Sequence, residues 1–214
     1  MNQLNTKTTE PLVKERLALL IERETRYQLD VIIKRMQNLA KNYRIGQEGD
    51  TRSPLRNVLI TATDRTASLE VIKNYIGYQT SRSDRSEKVS AILKSPYEGQ
   101  KEGRRFGAAL VEALDELEQD ANVLLNNIES SLPETDPLRE YLTPDVKLRE
   151  ATDLHLKLTQ LYLGYLVREH TALRGSRNNN TRSEPEQKTT PDPTARFERP
   201  VKNQTSPKPN PNRR

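Results

Sequence analysis

The sequence of 214 residues has no cysteine, no tryptophan, only two phenylalanines and no long apolar run. Without cysteine, the chain can form neither disulfide bonds nor thiolate metal sites. No apolar stretch approaches the length of about 18 residues that a membrane-spanning helix needs. The first residues, MNQLNTKTTEPLVKER, also lack the apolar segment of a signal peptide. These absences predict a soluble cytoplasmic protein with no membrane partner.

Hydrophobic residues are scarce as well, at 33% of the chain, and the mean hydropathy is -0.89. No segment alternates between apolar and polar residues at every second position, as a half-buried strand would. Apolar residues instead recur at steps of three and four, which is the spacing along one face of a helix. The pattern therefore predicts an all-α fold, a helical bundle of about six or seven helices.

Capping residues and breakers set the expected bounds of the shorter helices. The first helix should run from Pro11 to about Tyr43, and ERETR within it is either a solvated stretch or a bend. The second should begin with Ser53 as its N-cap and proline in its first turn. The third, over residues 69–82, should be capped by Ser68. Its expected inward-facing residues are Val71, Ile72, Tyr75 and Ile76.

The strongest periodicity lies in the second half of the chain and predicts two long helices. The apolar positions of the first are Phe106, Leu110, Leu114, Leu117, Ala121, Leu124 and Ile128. Asp136 should cap a short helix after it, and Asp145 should cap a long final helix that stops near Gly175.

Composition divides the chain into three parts. Residues 1–10 are expected to be a disordered N-terminus, and residues 11–175 a helical bundle domain. Residues 176–214 hold seven of the thirteen prolines and almost nothing apolar. Because such a segment buries too little surface to offset the entropy of ordering it, we expect a disordered Pro/Asn/Arg-rich tail.

Charge is distributed unevenly along a chain whose net charge is +5. Residues 176–214 carry nine basic and four acidic groups, so this segment alone accounts for the net charge. Within the balanced body, residues 52–105 carry eleven basic against six acidic groups. Residues 106–142 carry one basic against nine acidic groups. The body is therefore bipolar along the sequence.

Motifs of catalysis and metal binding are missing from the sequence. EGQKEGRRFG has three glycines, but it follows no strand and lacks the Lys-Ser/Thr of a phosphate-binding loop. His155 and His170 fall on one predicted helix, over about 20 Å apart, which is too far to share a metal. The acidic residues have no Glu-x-x-His partner on another helix. We therefore predict no enzyme activity, no cofactor and no metal site.

A basic, tyrosine-containing stretch, KNYIGYQTSRSD, is the clearest candidate for a binding surface. Arginines at helix ends and in loops, beside tyrosine, glutamine and serine, are the donors that bind nucleic-acid phosphates. The same residues could instead solvate the surface or pair with Asp64, Asp84 and Glu87. The pattern alone leaves both interpretations open.

Three segments resemble the small helical subunits of type III CRISPR effector complexes. They are SPLRNVLITATDRTASLEVIKNYIGYQTSR, RRFGAALVEALDEL and LYLGYLVREHTAL, within residues 53–173. Ser81 stands where that family is expected to have glycine, and the first helix and the tail extend beyond a minimal member. The resemblance implies a non-catalytic subunit of an antiviral ribonucleoprotein complex. Such subunits stack in several copies along guide and target RNA.

The resemblance also implies which residues bind RNA, without reading its sequence. By position they are Arg56, Lys73, Tyr78, Gln79, Arg82 and Arg85, with Arg104 and Arg105 as weaker candidates. The partners implied are guide and target RNA and the other subunits of the complex.

The acidic helix supplies a separate expectation about self-association. A basic segment followed by an acidic one suits head-to-tail stacking, in which the acidic helix of one copy meets the basic surface of the next. The expected interface residues are Glu112, Asp115 and Glu116.

Three alternatives stay open at this point. The chain could be a helical adaptor or scaffold that binds another protein, with the tail as a tether. Nucleic acid could associate with the basic tail alone, and the bundle would then serve another purpose. An enzyme would need a site that the sequence does not reveal.

Overall fold

The structure, a computed structural model, describes residues 6–46, 54–81, 91–99 and 103–181. These residues form seven helices. Their bounds are α1 Thr6–Asn42, α2 Pro54–Thr63, α3 Leu69–Ser81, α4 Ala91–Lys94, α5 Phe106–Ser131, α6 Pro137–Tyr141 and α7 Pro144–Thr181. The described residues contain no strand, only an isolated bridge between Pro96 and Arg105. The predicted all-α bundle of six or seven helices is confirmed.

The three long helices form the body of the bundle. Arg16 pairs with Asp136, and Arg35 pairs with Asp120, so α1 and α5 run in opposite directions. On the other side of α5, His155 of α7 donates from Nε2 to the Leu114 carbonyl at 2.7 Å. Helices α2, α3 and α4 complete the bundle: α2 packs on α7, and both α3 and α4 pack on α5.

Helix α5 carries the centre of the core. All seven apolar positions predicted for it are buried, and Phe106, Leu110, Leu114, Leu124 and Ile128 are fully buried. The helix packs against α7, α1, α3 and α4, so its apolar stripe is covered from several directions. A stripe of this width explains why periodicity alone located the helix.

Two predicted caps are present and one is wrong. The Ser68 hydroxyl accepts from the Val71 amide at 3.3 Å, and the Asp136 carboxylate accepts from the Leu138 amide at 2.9 Å. Asp145, however, lies inside the first turn of α7, where its charge still suits the helix dipole. Because proline occupies the first helical position there, the residue before it, Thr143, accepts from the Val146 amide instead.

Helix ends differ from expectation at both termini of the bundle. α1 begins at Thr6 rather than near Pro11, and it runs without a break through ERETR. α7 continues through Gly175 to Thr181. A single glycine costs a helix only about 1 kcal/mol, and no proline stops the chain before Pro185. The predicted tail therefore starts later than residue 176, and residues 182–214 lie outside the described residues.

One expected core position is exposed. Val71 is 49% exposed on α3, whereas Ile72 and Ile76 on the same helix are fully buried and Tyr75 is half-buried. A helix of 13 residues on the outside of the bundle has room for one narrow buried stripe, and Val71 lies beside it.

The central position of α5 gives a direct stability test. Leu114→Ala removes a fully buried side chain and leaves a cavity, so we expect the free energy of unfolding to fall by about 2–5 kcal/mol. Leu148→Ala is the matched control, because Leu148 is 71% exposed on α7 and should change it by less than about 0.5 kcal/mol. Urea denaturation followed by circular dichroism measures both. Equal losses in the two variants would contradict the central role of α5.

Candidate nucleic-acid interface

The C-terminal half of α3 holds the tyrosine and glutamine singled out from the sequence. Buried Ile72 and Ile76 fix this helix on the bundle. Tyr78 is 56% exposed, as its position off the apolar stripe predicts, and Gln79 is half-buried. The exposed residues Glu70, Val71, Asn74, Gly77, Tyr78 and Ser81 follow one another along the outer face of the helix. This face is available to a partner.

The start of α5 packs closely against the end of α3. A Cβ added at Gly107 would overlap the Thr80 hydroxyl and lie 3.2 Å from the Leu93 carbonyl oxygen. No larger residue fits there unless Thr80 or α4 moves. The glycine of RRFG therefore allows three helices to meet, and it brings Arg104 and Arg105 to the end of α3 that bears Tyr78 and Gln79.

Arg105 also holds the short helix α4 in place. Its guanidinium donates to the Lys94 carbonyl at 2.9 Å, and the Phe106 amide donates to the Ser95 carbonyl at 2.9 Å. The side chain remains exposed, so the fold fixes the orientation of this cation while leaving it accessible to solvent. We name the surface formed by Tyr78, Gln79, Arg104 and Arg105 the α3–α5 junction.

Two further cations are bound by carboxylates of α5. Lys73 lies 3.0 Å from Asp115 and also contacts Glu70, and Arg104 pairs with Glu112. Hydrogen bonds from Glu70 and then Asp115 raise the pKa of Lys73, so it stays charged throughout the physiological range. The third acidic candidate, Glu116, lies 3.9 Å from Arg35 of α1.

These ion pairs join two sets of residues that the sequence treats separately. Candidate RNA-binding cations contact candidate interface carboxylates within the same chain. Sequence reasoning missed this pairing, and it also missed Arg35 and Thr80. The paired residues lie more than thirty positions apart in the α3–α5 case, beyond any local helical spacing, so no signal in the sequence shows them.

Arg56 lies on α2, exposed and with no ion pair among the described residues. Helices α2 and α3 pack on each other and are joined by only residues 64–68. Such short connections favour antiparallel neighbours, which puts the first turn of α2 towards the C-terminal end of α3. Arg82 and Arg85 continue the chain from that end, but both lie outside the described residues.

Other site chemistry is limited within the part of the chain that the structure describes. No group of three or more His, Asp or Glu residues there has the arrangement of a metal site. No helix there combines the length and the apolarity that a membrane span requires.

Comparison with known proteins returns no match: no family model, no curated protein and no solved structure is similar to this chain. The resemblance to type III CRISPR small subunits therefore stays a prediction.

The close contact at Gly107 can be tested by adding one methyl group. We expect Gly107→Ala to lower the free energy of unfolding by about 1–3 kcal/mol, because the new Cβ overlaps Thr80. Removing that hydroxyl as well, in Gly107→Ala/Thr80→Ala, should restore part of the loss.

Gly77→Ala on α3 is the control for this substitution. No atom lies within 4 Å of its added Cβ, so this change should stabilise the protein by about 0.5–1 kcal/mol through helix propensity. Thermal unfolding measures all three variants. A neutral Gly107→Ala would show that α5 does not need the close approach.

Proposed function

We propose that this protein is a non-catalytic small subunit of a type III CRISPR ribonucleoprotein, and that it binds the RNA backbone at the α3–α5 junction. The observation that supports the proposal most strongly is the packing of Gly107 on Thr80, which assembles the junction from two distant parts of the chain. An exposed tyrosine beside guanidinium groups and a glutamine provides a stacking surface and phosphate donors in one place.

The ion pairs at the junction set the expected strength of this binding. An exposed pair between a lysine or arginine and a carboxylate contributes only about 0–1 kcal/mol, so a phosphate can replace the carboxylate at little cost. Asp115 and Glu112 nevertheless reduce the local positive potential. A single copy should therefore bind RNA weakly and without sequence preference. Several copies along one strand would raise the affinity through effective concentration.

Salt dependence tests the phosphate contacts. We expect Arg82→Ala/Arg85→Ala to weaken binding to unrelated RNAs about equally. The slope of log affinity against log salt should become shallower by about two, because each lost contact releases one counterion fewer. Fluorescence anisotropy with two unrelated labelled RNAs across a salt series measures both quantities.

Arg26→Ala/Arg149→Ala is the control for that loss of charge. Both arginines are exposed, on α1 and α7, and each pairs with a neighbouring glutamate. This variant should keep the wild-type slope. A chain ending at Thr181 should keep most of the binding as well. Binding that disappears with residues 182–214 would move the site to the tail and contradict the proposal.

Head-to-tail stacking is the second half of the proposal, and the structure changes how it is tested. Reversing Glu112 or Asp115 would repel Arg104 or Lys73 of the same chain, so a loss of assembly would be ambiguous. Glu118 is exposed on the same helix and has no ion pair among the described residues. It reports on the acidic face without disturbing the fold.

We therefore expect Glu118→Lys to lower the fraction of multimers in light scattering at low salt, while the circular dichroism spectrum stays unchanged. Glu15→Lys makes the same charge change on an exposed position of α1 and should assemble as the wild type does. If both variants assemble equally, the acidic face of α5 takes no part in stacking.

Exposed apolar side chains on α1 favour a second candidate function, a helical adaptor that binds another protein. These side chains are Leu12, Leu19, Tyr27 and Val31, each more than half exposed. The adaptor predicts a one-to-one protein complex that contains no RNA when the native protein is purified under nuclease protection. Co-purifying RNA of mixed sequence favours the ribonucleoprotein subunit.

A further inference from the structure

A groove of about 340 Å³ lies beside the α3–α5 junction. One side is formed by the C-terminal part of α1, the other by the segment before α5 and the first turns of α5, and Tyr162 of α7 also lines it. Its volume falls at the lower end of the range for small-molecule sites. Arg104 belongs to both the groove and the junction, so a strand bound at the junction would pass the mouth of the groove.

Aromatic rings form a fixed wall of this groove. Tyr97 is 40% exposed and contacts Tyr43 edge-on, with ring centroids 5.5 Å apart and an interplanar angle of 89°. Tyr43 is buried and packs in turn on Phe106, again at 5.5 Å. The Glu98 amide donates to the Asn42 carbonyl at 2.8 Å, which ties the segment that carries Tyr97 to α1. The wall is therefore preorganised, with part of the Tyr97 ring open to a ligand.

Charges around the groove cancel one another. Arg104 pairs with Glu112, and Arg35 pairs with Asp120 and lies 3.9 Å from Glu116. A phosphate entering the groove would meet these carboxylates, and a cation would have to displace the arginines. The electrostatics therefore favour a ligand without net charge.

Polar groups in the groove remain available for hydrogen bonds. The side-chain amides of Asn38 and Asn42 line it, and neither amide has a hydrogen-bond partner among the described residues. An amide offers both a donor and an acceptor, the combination that the edges of nucleobases also present. Burial raises the pKa of Tyr162 above its usual range, so its phenol stays protonated as a further donor.

We propose that this groove binds a nucleobase from an RNA strand held at the junction. The inference rests on the proposed function and deepens it, since it assigns the phosphates to the junction and one base to the groove. Stacking on Tyr97 accepts any base, and the rotatable amides of Asn38 and Asn42 adapt to different base edges. The binding therefore stays sequence-tolerant.

The test compares an intact oligonucleotide with its abasic counterpart. The probes are a 12-nucleotide RNA and a ribose-phosphate chain of the same length without bases, each titrated with the full chain by fluorescence anisotropy at one salt concentration. We expect the intact RNA to bind about tenfold more tightly, within the range measured for stacking of one base on one aromatic side chain. Tyr97→Ser and Asn42→Leu should each remove most of that difference and leave the abasic affinity unchanged.

Tyr27→Ser is the matched control, because Tyr27 is 72% exposed on α1 and does not line the groove. It should behave as the wild type does. If intact and abasic strands bind equally, and Tyr97→Ser changes neither, the groove does not hold a base, whereas the proposed phosphate binding stands. If neither strand binds, both proposals fail. An arginine-rich peptide that binds the wild type and is lost in Tyr97→Ser would assign the groove to a protein partner and overturn the inference.

Discussion

The packing of α5 against α1, α3, α4 and α7 is the constraint on which the rest of the structure depends. The apolar stripe of this helix supplies the core, and its first turn reaches the end of α3 only because residue 107 has no side chain. The same contact that completes the core thus also assembles the α3–α5 junction. Stability and binding surface are coupled through one helix.

The uneven charge of the chain is largely resolved inside the fold. Carboxylates of α5 contact Lys73 of α3, Arg104 before α5 and Arg35 of α1, so the acidic helix neutralises much of the basic segment that precedes it. Exposed pairs of this kind exchange partners easily, and they are screened by salt. The junction is thus suited to many weak contacts along a repeating backbone rather than to one tight contact.

Helix periodicity was enough to predict the fold class and the buried face of α5, because apolar residues at helical spacing leave few other ways to bury them. Capping residues predicted the starts of α3 and α6 for the same local reason. Gly175 and Asp145 misled, since a lone glycine is a weak breaker and Pro144 moves the cap to Thr143. The site was harder to predict: the Gly107–Thr80 contact and the ion pairs of α5 link distant positions, and only the tertiary packing shows them.

The most direct measurement is the mapping of RNA contacts on the native assembly. RNA containing 4-thiouridine can be crosslinked to the purified protein by light, and the modified residues identified by mass spectrometry. The account predicts adducts at Tyr78 and Tyr97 and on the peptide that contains Arg104 and Arg105. Adducts confined to residues 182–214, or to α1 near Tyr27, would contradict it.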